Sequence, residues 1–453
     1  MSEPRGPTPR AAVRGALVRA TVETALGPLG CARYLLQRRR REHEARADLA
    51  AVVAPAPAPR PSGLPDRPLR LFLSCAEPSG EIHAANLVAA LRAELARASA
   101  PEPELVGLGG DRLAEAGVRL VGRPVDRAAM GLDGVLGSVP WYLRLLESAA
   151  RALRDAQFDA CVPVDSPALH VPLGRIAHRY GVPVAHYVTP QYWAWAPWRV
   201  AAYRDAVDLA LTILPFEVPW FERNGVRTRH VGHPMLDELG PVEAARDATR
   251  EDEDPAGPIA LLPGSRGKTV ARNLPFMLEV LARLRERQPE LAVVLPQDRG
   301  DHEEEIRAQL DAAGASDWVR LEIGDLHGSL RRARAAFSVS GTILIDLLHH
   351  RLPAVAVYRL GGTLQGWAYR NLLTTPWFAS VNLLAGEELF PELCFTGTGP
   401  VAAACDALER CYKDGTWRRR CRTGLERAAV RIGPPGAATR AARHVLDLAR
   451  RRP

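Results

Sequence analysis

From residue 69 onward the chain alternates short apolar runs with stretches of helical period. Residues 69–74, 104–108, 159–164, 183–188, 208–213 and 227–231 read as strands. Between the first two, Leu87, Leu91 and Leu95 fall at i, i+4 and i+8, one stripe of a helix. Alternation of this kind predicts βαβ units and a parallel sheet. It fails around 241–258, where Arg246 to Pro255 is charged and flanked by Gly and Pro, the composition of a linker. A second series follows, with strands at 259–262, 291–295, 319–321, 335–339 and 354–357, then helices from about Val401 to the end. The expectation is an α/β protein of two Rossmann-like domains facing across a cleft. Its predicted segments are an N-terminal extension over 1–66, a first domain over 67–240, a linker over 241–257 and a second domain over 258–453.

The extension differs from the rest. It is rich in Ala, Leu and Arg, carries the run Arg38 to Arg41, and ends in the Pro-rich stretch 54–63, a stiff linker. Two readings stand for it: a solvated, partly helical extension, or a basic segment that touches anionic lipid. It also locates the charge. Of the formal +7, residues 1–50 contribute +5, ten Arg against five Asp or Glu. The body is nearly neutral, which argues against a broad nucleic-acid footprint. No apolar stretch reaches the ~20 residues of a spanning helix. Arg14 and Arg19 interrupt what would be a signal-peptide core, so a cytoplasmic location is expected. The seven cysteines form no CxxC pair and read as small buried hydrophobes.

Loops at the carboxyl ends of parallel strands are where such sheets bind ligands. The first, Cys75 to Glu81, holds Ser79 and Gly80 in a turn that lets a ligand approach the backbone. The second holds Gly109, Gly110 and Asp111. Next, Asp165 follows a buried strand directly: a general base at a cleft mouth or the cap of the following helix. The stretch 186–198 places Trp193, Trp195 and Trp198, three of nine tryptophans, in a Pro-flanked loop that suits a binding wall. In the second domain Gly264, Ser265 and Arg266 lead from strand to helix as a pyrophosphate site would. Gly267-Lys268-Thr269 is no Walker motif, because Leu262 stands where that motif needs Gly. Ser340, Gly341 and Thr342 open another helix, with Asp346 one turn in; they suit phosphate and ribose, or simple capping. The histidines show no metal-binding spacing, and no metal or cofactor is expected.

Taken in order, these loops resemble the lipid-A-disaccharide synthase family. The matching stretches include 76–81, 109–113, Met130-Gly131-Leu132, 164–167, 187–195, Leu214 to Glu217 and 231–234. Others are Leu262 to Arg266, 340–342, 382–386 and Pro391-Glu392-Leu393. The resemblance implies an inverting transfer of 2,3-diacylglucosamine from its UDP carrier to the 6-hydroxyl of 2,3-diacylglucosamine 1-phosphate, in a GT-B type fold. It implies Asp165 as general base, with Ser79 and Gly80 beside the reacting sugar. Arg266, Ser265, Gly264, Ser340, Gly341, Thr342, Asp346, Asn382 and Glu392 would hold the donor. Met130, Leu132, Val135, Leu136, Val139, Leu143, Trp193 and Trp195 would take the acceptor's lipid, and the basic extension fits attachment to the anionic inner face of the inner membrane. Some positions depart from the family pattern: Asp346 stands for Glu, Thr269 for Glu and Phe395 for Gln. Two alternatives stay open: a related UDP-N-acetylhexosamine transferase or epimerase with another acceptor, and a catalytically poor UDP-sugar-binding paralogue.

Overall fold

The structure is a computed structural model that describes residues 6–51, 53–58, 60–129, 135–240 and 257–451. The chain divides into two compact units, 1–237 with 435–453, and 238–434.

In the first unit β1 (Arg70–Ser74), β2 (Glu104–Leu108), β3 (Arg119–Gly122) and β4 (Ala160–Pro163) form a parallel sheet ordered β3-β2-β1-β4. Parallel bridges from Cys161 to Val184 and from Val164 to Tyr187 carry it on to β5 (Ala185–Tyr187), β6 (Leu209–Thr212) and β7 (Thr228–His230). The central strands are mostly apolar and buried because helices cover both faces. Helix Pro78–Arg97 shows the local logic: Pro at its start, Glu81 in its first turn, Arg97 in its last, and Leu87, Leu91 and Leu95 buried on one stripe.

The second unit holds a six-stranded parallel sheet. Its strands are β8 (Ile259–Leu262), β9 (Val293–Gln297), β10 (Val319–Ile323), β11 (Ala335–Val339), β12 (Ala354–Arg359) and β13 (Glu392–Phe395), ordered β10-β9-β8-β11-β12-β13. In both sheets the first strand sits between the second and a later one, so the strand order reverses beside β1 and beside β8. Such reversal points open a crevice at the carboxyl ends of the strands.

Two expectations change. The sequence assigns helix Ala437–Ala449 to the second domain, yet it packs on helix Pro78–Arg97 and puts Ala441, Val445 and Leu446 into the first unit's core. An ion pair fixes it: the Arg443 guanidinium donates to Glu94, whose side chain is almost fully buried. The extension, in turn, is not a solvated tail. Helices Pro9–Ala25, Gly27–Leu36 and Arg38–Ala50 pack on the first unit. Arg175 donates to Glu23 at 3.0 Å and Arg223 to the buried Asp48 at 2.9 Å. The predicted linker lies outside the described residues from 241 to 256. Among the described residues no helix is long and apolar enough to cross a membrane.

Candidate active site

Strands β1 and β4 are neighbours, so the loops that leave their carboxyl ends meet. Gly80 lies in the first turn of helix Pro78–Arg97, and a Cβ placed there would stand 3.5 Å from the Val164 carbonyl and 3.7 Å from Asp165 Cβ. The structure therefore brings Ser79, Gly80 and Asp165 together. Glu81 ties in the next loop: its buried carboxylate accepts from the Gly110 amide at 2.7 Å and the Leu113 amide at 3.1 Å.

Asp165 and Ser166 both have positive φ, 58° and 45°. Pro167 restricts only Ser166, where it disfavours the right-handed helical region. For residues with a Cβ the left-handed conformation costs about 1–3 kcal/mol each, so the surroundings must hold it. They do so through the Asp165 backbone. Its amide donates to the Tyr187 carbonyl at 2.9 Å. Its carbonyl faces two buried imidazoles, His170 Nδ1 and, at 2.9 Å, His186 Nε2. A carbonyl only accepts, so both of these nitrogens carry the proton. The remaining nitrogens then accept, His170 Nε2 from Ser74 Oγ at 2.9 Å and His186 Nδ1 from the Tyr203 hydroxyl at 3.0 Å. Both rings are neutral: burial pulls His170 down to about 3, helped by His186 beside it, and His186 down to about 4.

In the second unit β8 and β11 pair with Leu262 opposite Ser338, so their loops leave side by side. Gly264 has φ 120°, and a Cβ there would lie 2.7 Å from Thr269 Cγ2, which explains the glycine. Ser265 and Arg266 are exposed, and Arg266 caps the 21-residue helix Gly267–Arg287 in extended conformation. The Thr269 and Val270 amides donate to the Arg266 carbonyl at 2.8 and 2.9 Å, and the N-terminal end of a helix favours anions. On the neighbouring strand the Ser340 amide donates to Val357, and Gly341 and Thr342 are exposed ahead of helix Ile343–His349. Asp346, inside that helix, is buried, which pushes its carboxyl up to about 7.

A family model described as lipid-A-disaccharide synthetase matches residues 71–416. The chain belongs to that family. Two relatives bear the name lipid-A-disaccharide synthase. The one from Myxococcus xanthus is 35% identical over 84% of this chain and 98% of its own length. The one from Azotobacter vinelandii is 35% identical over 84% and 99%. Solved structures share the fold at low identity. One is a putative UDP-N-acetylglucosamine 2-epimerase from Listeria monocytogenes, with a TM-score of 0.54, 12% identity, and coverage of 83% of this chain and 94% of that one. Another is the S. aureus MnaA-UDP co-structure, with 0.54, 14%, 82% and 94%. The protein is a glycosyltransferase of the GT-B type.

Against the family pattern, several expected contacts fall out differently. Trp193 is buried, not a wall: its indole donates to Glu217 Oε1 at 3.0 Å and packs edge-on against Phe216. Glu217 also accepts from Thr189 and from the Ile213 and Leu214 amides, and burial pushes it up to about 7. Trp195 is 39% exposed. Asn382 is fully buried and braces a turn, donating to the Phe390 carbonyl and accepting from the Leu389 and Phe390 amides. Glu392 accepts from the Phe378 and Ala379 amides, and burial pushes it up to about 8. These hydrogen bonds hold the 378–392 segment together. Phe395, where the family usually has Gln, packs on Phe276 with centroids 4.5 Å apart. Val139 and Leu143 line a groove taken up below. Met130 and Leu132 lie outside the described residues, as do the side chains of Val135 and Leu136. Among the described residues no cluster of His, Cys, Asp or Glu could hold a metal ion.

Sequence reasoning missed the two imidazoles behind Asp165. His186 opens the aromatic loop and His170 stands five residues after Asp165, but nothing in a linear pattern says that both point at one carbonyl.

Proposed function

We propose that this enzyme transfers 2,3-diacylglucosamine from its UDP carrier to the 6-hydroxyl of 2,3-diacylglucosamine 1-phosphate. The Asp165 carboxylate takes the hydroxyl proton as the oxygen attacks the donor's anomeric carbon. The bond from that carbon to the pyrophosphate oxygen breaks, UDP leaves with the electron pair, and the new β-1,6 linkage is inverted at that carbon. Arg266, Ser265 and the Gly264 turn meet the departing pyrophosphate, with Ser340, Gly341 and Thr342 as a second wall and Asp346 on the ribose. Charge develops on UDP in the transition state, where fixed N–H donors and a guanidinium stabilise it without a resident metal. The enzyme works at the cytoplasmic face of the inner membrane as a peripheral protein, its arginine-rich helix Arg38–Ala50 near anionic headgroups.

The observation that supports this most is family membership across both units, with Asp165 at the reversal point of the first sheet and Arg266 at that of the second. The epimerase fold relatives, at 12–14% identity, speak for the fold alone. The test is to incubate the purified chain with both substrates and EDTA and to read products by mass spectrometry. Disaccharide 1-phosphate and UDP in equal amounts are expected. UDP binding without disaccharide would overturn the proposal.

A further inference from the structure

The first two N-terminal helices, Pro9–Ala25 and Gly27–Leu36, do more than cover the first unit. An apolar groove of about 1450 Å³ runs between them and helices Val135–Asp155 and Pro167–Arg179. That exceeds the roughly 300–1,000 Å³ of a site for a drug-sized ligand. Leu26 and Leu29 line it on one side, Val139, Trp141 and Leu143 on the other, and Trp198 lies between. Its lining also includes Ser166, next to Asp165, and Ala76 and Glu77 from the loop that leads into Gly80.

These first two helices are pinned to the first unit but leave several large side chains open. Over residues 9–36 the buried positions are Ala12, Val13, Ala16 and Tyr34, none of them a leucine. Gly30 packs so closely on Trp198 that a Cβ there would come within 2.9 Å of three of its atoms. The Glu23–Arg175 ion pair, with Arg175 nearly fully buried, fixes the first helix. Yet Leu26 is 52% and Leu29 68% exposed. A segment built to seal a core turns its leucines inward. This one is pinned by small residues and an ion pair and aims its leucines along the groove, an exposed apolar patch that calls for an apolar occupant.

We infer that the N-terminal helices form one wall of a channel for the acyl chains of the sugar acceptor, with the groove leading those chains away from Asp165. This rests on the reaction proposed above, in which the acceptor's hydroxyl sits at Asp165 and its acyl chains are its apolar part. The helices lie before residue 71, where the family model begins, so this wall is a feature of this chain beyond the matched region.

Two readouts on the full chain test it. The first is Leu29→Asp, at a position exposed enough for the fold to tolerate. Its KM for the acylated acceptor should rise about tenfold. The donor KM should hold, and the gap should shrink as the acceptor's chains are shortened. The second needs no turnover: a 2,3-diacylglucosamine 1-phosphate with a diazirine at its acyl end is photolysed on the protein and the adducts are mapped. Adducts within 17–33 and 139–145 are expected. An unchanged acceptor KM, or adducts confined to other segments, overturns the inference while leaving the transferase reaction standing. Labelling of 17–33 by a diazirine phospholipid that the acceptor does not displace overturns it too, and makes the groove a membrane-lipid site. Absence of turnover in the unaltered chain is a failure of the reaction proposal, and is seen separately.

Discussion

The carbonyl of Asp165 is shared between two imidazoles, and the energetics of that sharing can be worked out. The left-handed conformation of Asp165 costs about 1–3 kcal/mol. Each hydrogen bond to its carbonyl returns about 0.5–1.5 kcal/mol net. One bond offsets part of the strain, and two together balance it. Removing one donor, in His170→Ala or His186→Leu, leaves the carbonyl served by the other ring. The single changes also orphan the Ser74 hydroxyl or the buried Tyr203 hydroxyl, at about 1–3 kcal/mol. Removing both leaves the carbonyl unpaired and the strain unopposed. The double variant should therefore lose more stability than the two single losses combined, by about 0.5–3 kcal/mol in a double-mutant cycle. A relaxing Asp165 moves its carboxylate, and a displacement of about 1 Å lowers kcat by ~10². The assay measures denaturant midpoints for the four proteins, with kcat and both KM values. Expected are kcat losses near tenfold for single variants and a hundredfold for the pair, with little change in donor KM. His170→Asn and His186→Gln, which keep an N–H in place of the donating ring nitrogen, should recover most of kcat. Strictly additive stabilities, together with a double-variant kcat within twofold of the unaltered enzyme, would refute the clamp.

Further expectations concern pH and the braced loops. The imidazoles of His170, His186, His230 and His233 are depressed by burial to about 3–4, below the unfolded value near 6.5. The unfolded chain binds more protons in that window, so stability should fall as pH drops from about 6.5 toward 4, seen as a falling denaturant midpoint. Glu217 acts in the opposite sense: burial raises its folded value from 4.5 to about 7, the native state holds the proton longer, and its share of stability is lost as pH rises through that interval. Glu217→Gln removes this opposing slope and should steepen the rise of stability with pH between about 5 and 6.5 relative to the unaltered chain; an identical pH curve would contradict the assignment. Asn382→Leu should cost about 3 kcal/mol or more, since two amides and a carbonyl lose their partner. UDP affinity measured by calorimetry on the folded variant should hold; a large loss with stability intact would return Asn382 to the donor site.

Most of the sheet architecture was legible because buried parallel strands are unbroken apolar runs, and the loops after them then follow by position. Strands β3 and β13 were not, since they are edge strands only half buried: Arg119 to Gly122 and Glu392 to Phe395 carry no such run. The path of the last helix was also out of reach. An amphipathic helix rich in alanine fits either sheet, and what decides is Arg443 meeting Glu94, two residues 349 positions apart. At the site, strand ends pointed to Asp165, Ser79 and Gly80 and to the Arg266 and Ser340 loops, and the structure sets each of these at the carboxyl end of a parallel strand. Trp193, Asn382 and Glu392 read as ligand contacts because they are polar or aromatic residues in loops; their partners within the chain, far along the sequence or on the backbone, are visible only in the structure.

The central claim is that Asp165 removes the acceptor's proton. The most direct measurement is single-turnover kinetics of Asp165→Asn with saturating donor and acceptor, alongside UDP affinity by calorimetry. The account predicts a rate lower by ~10²-fold or more and an unaltered UDP affinity. A rate within a few-fold of the unaltered enzyme would contradict it and move the base elsewhere in the site.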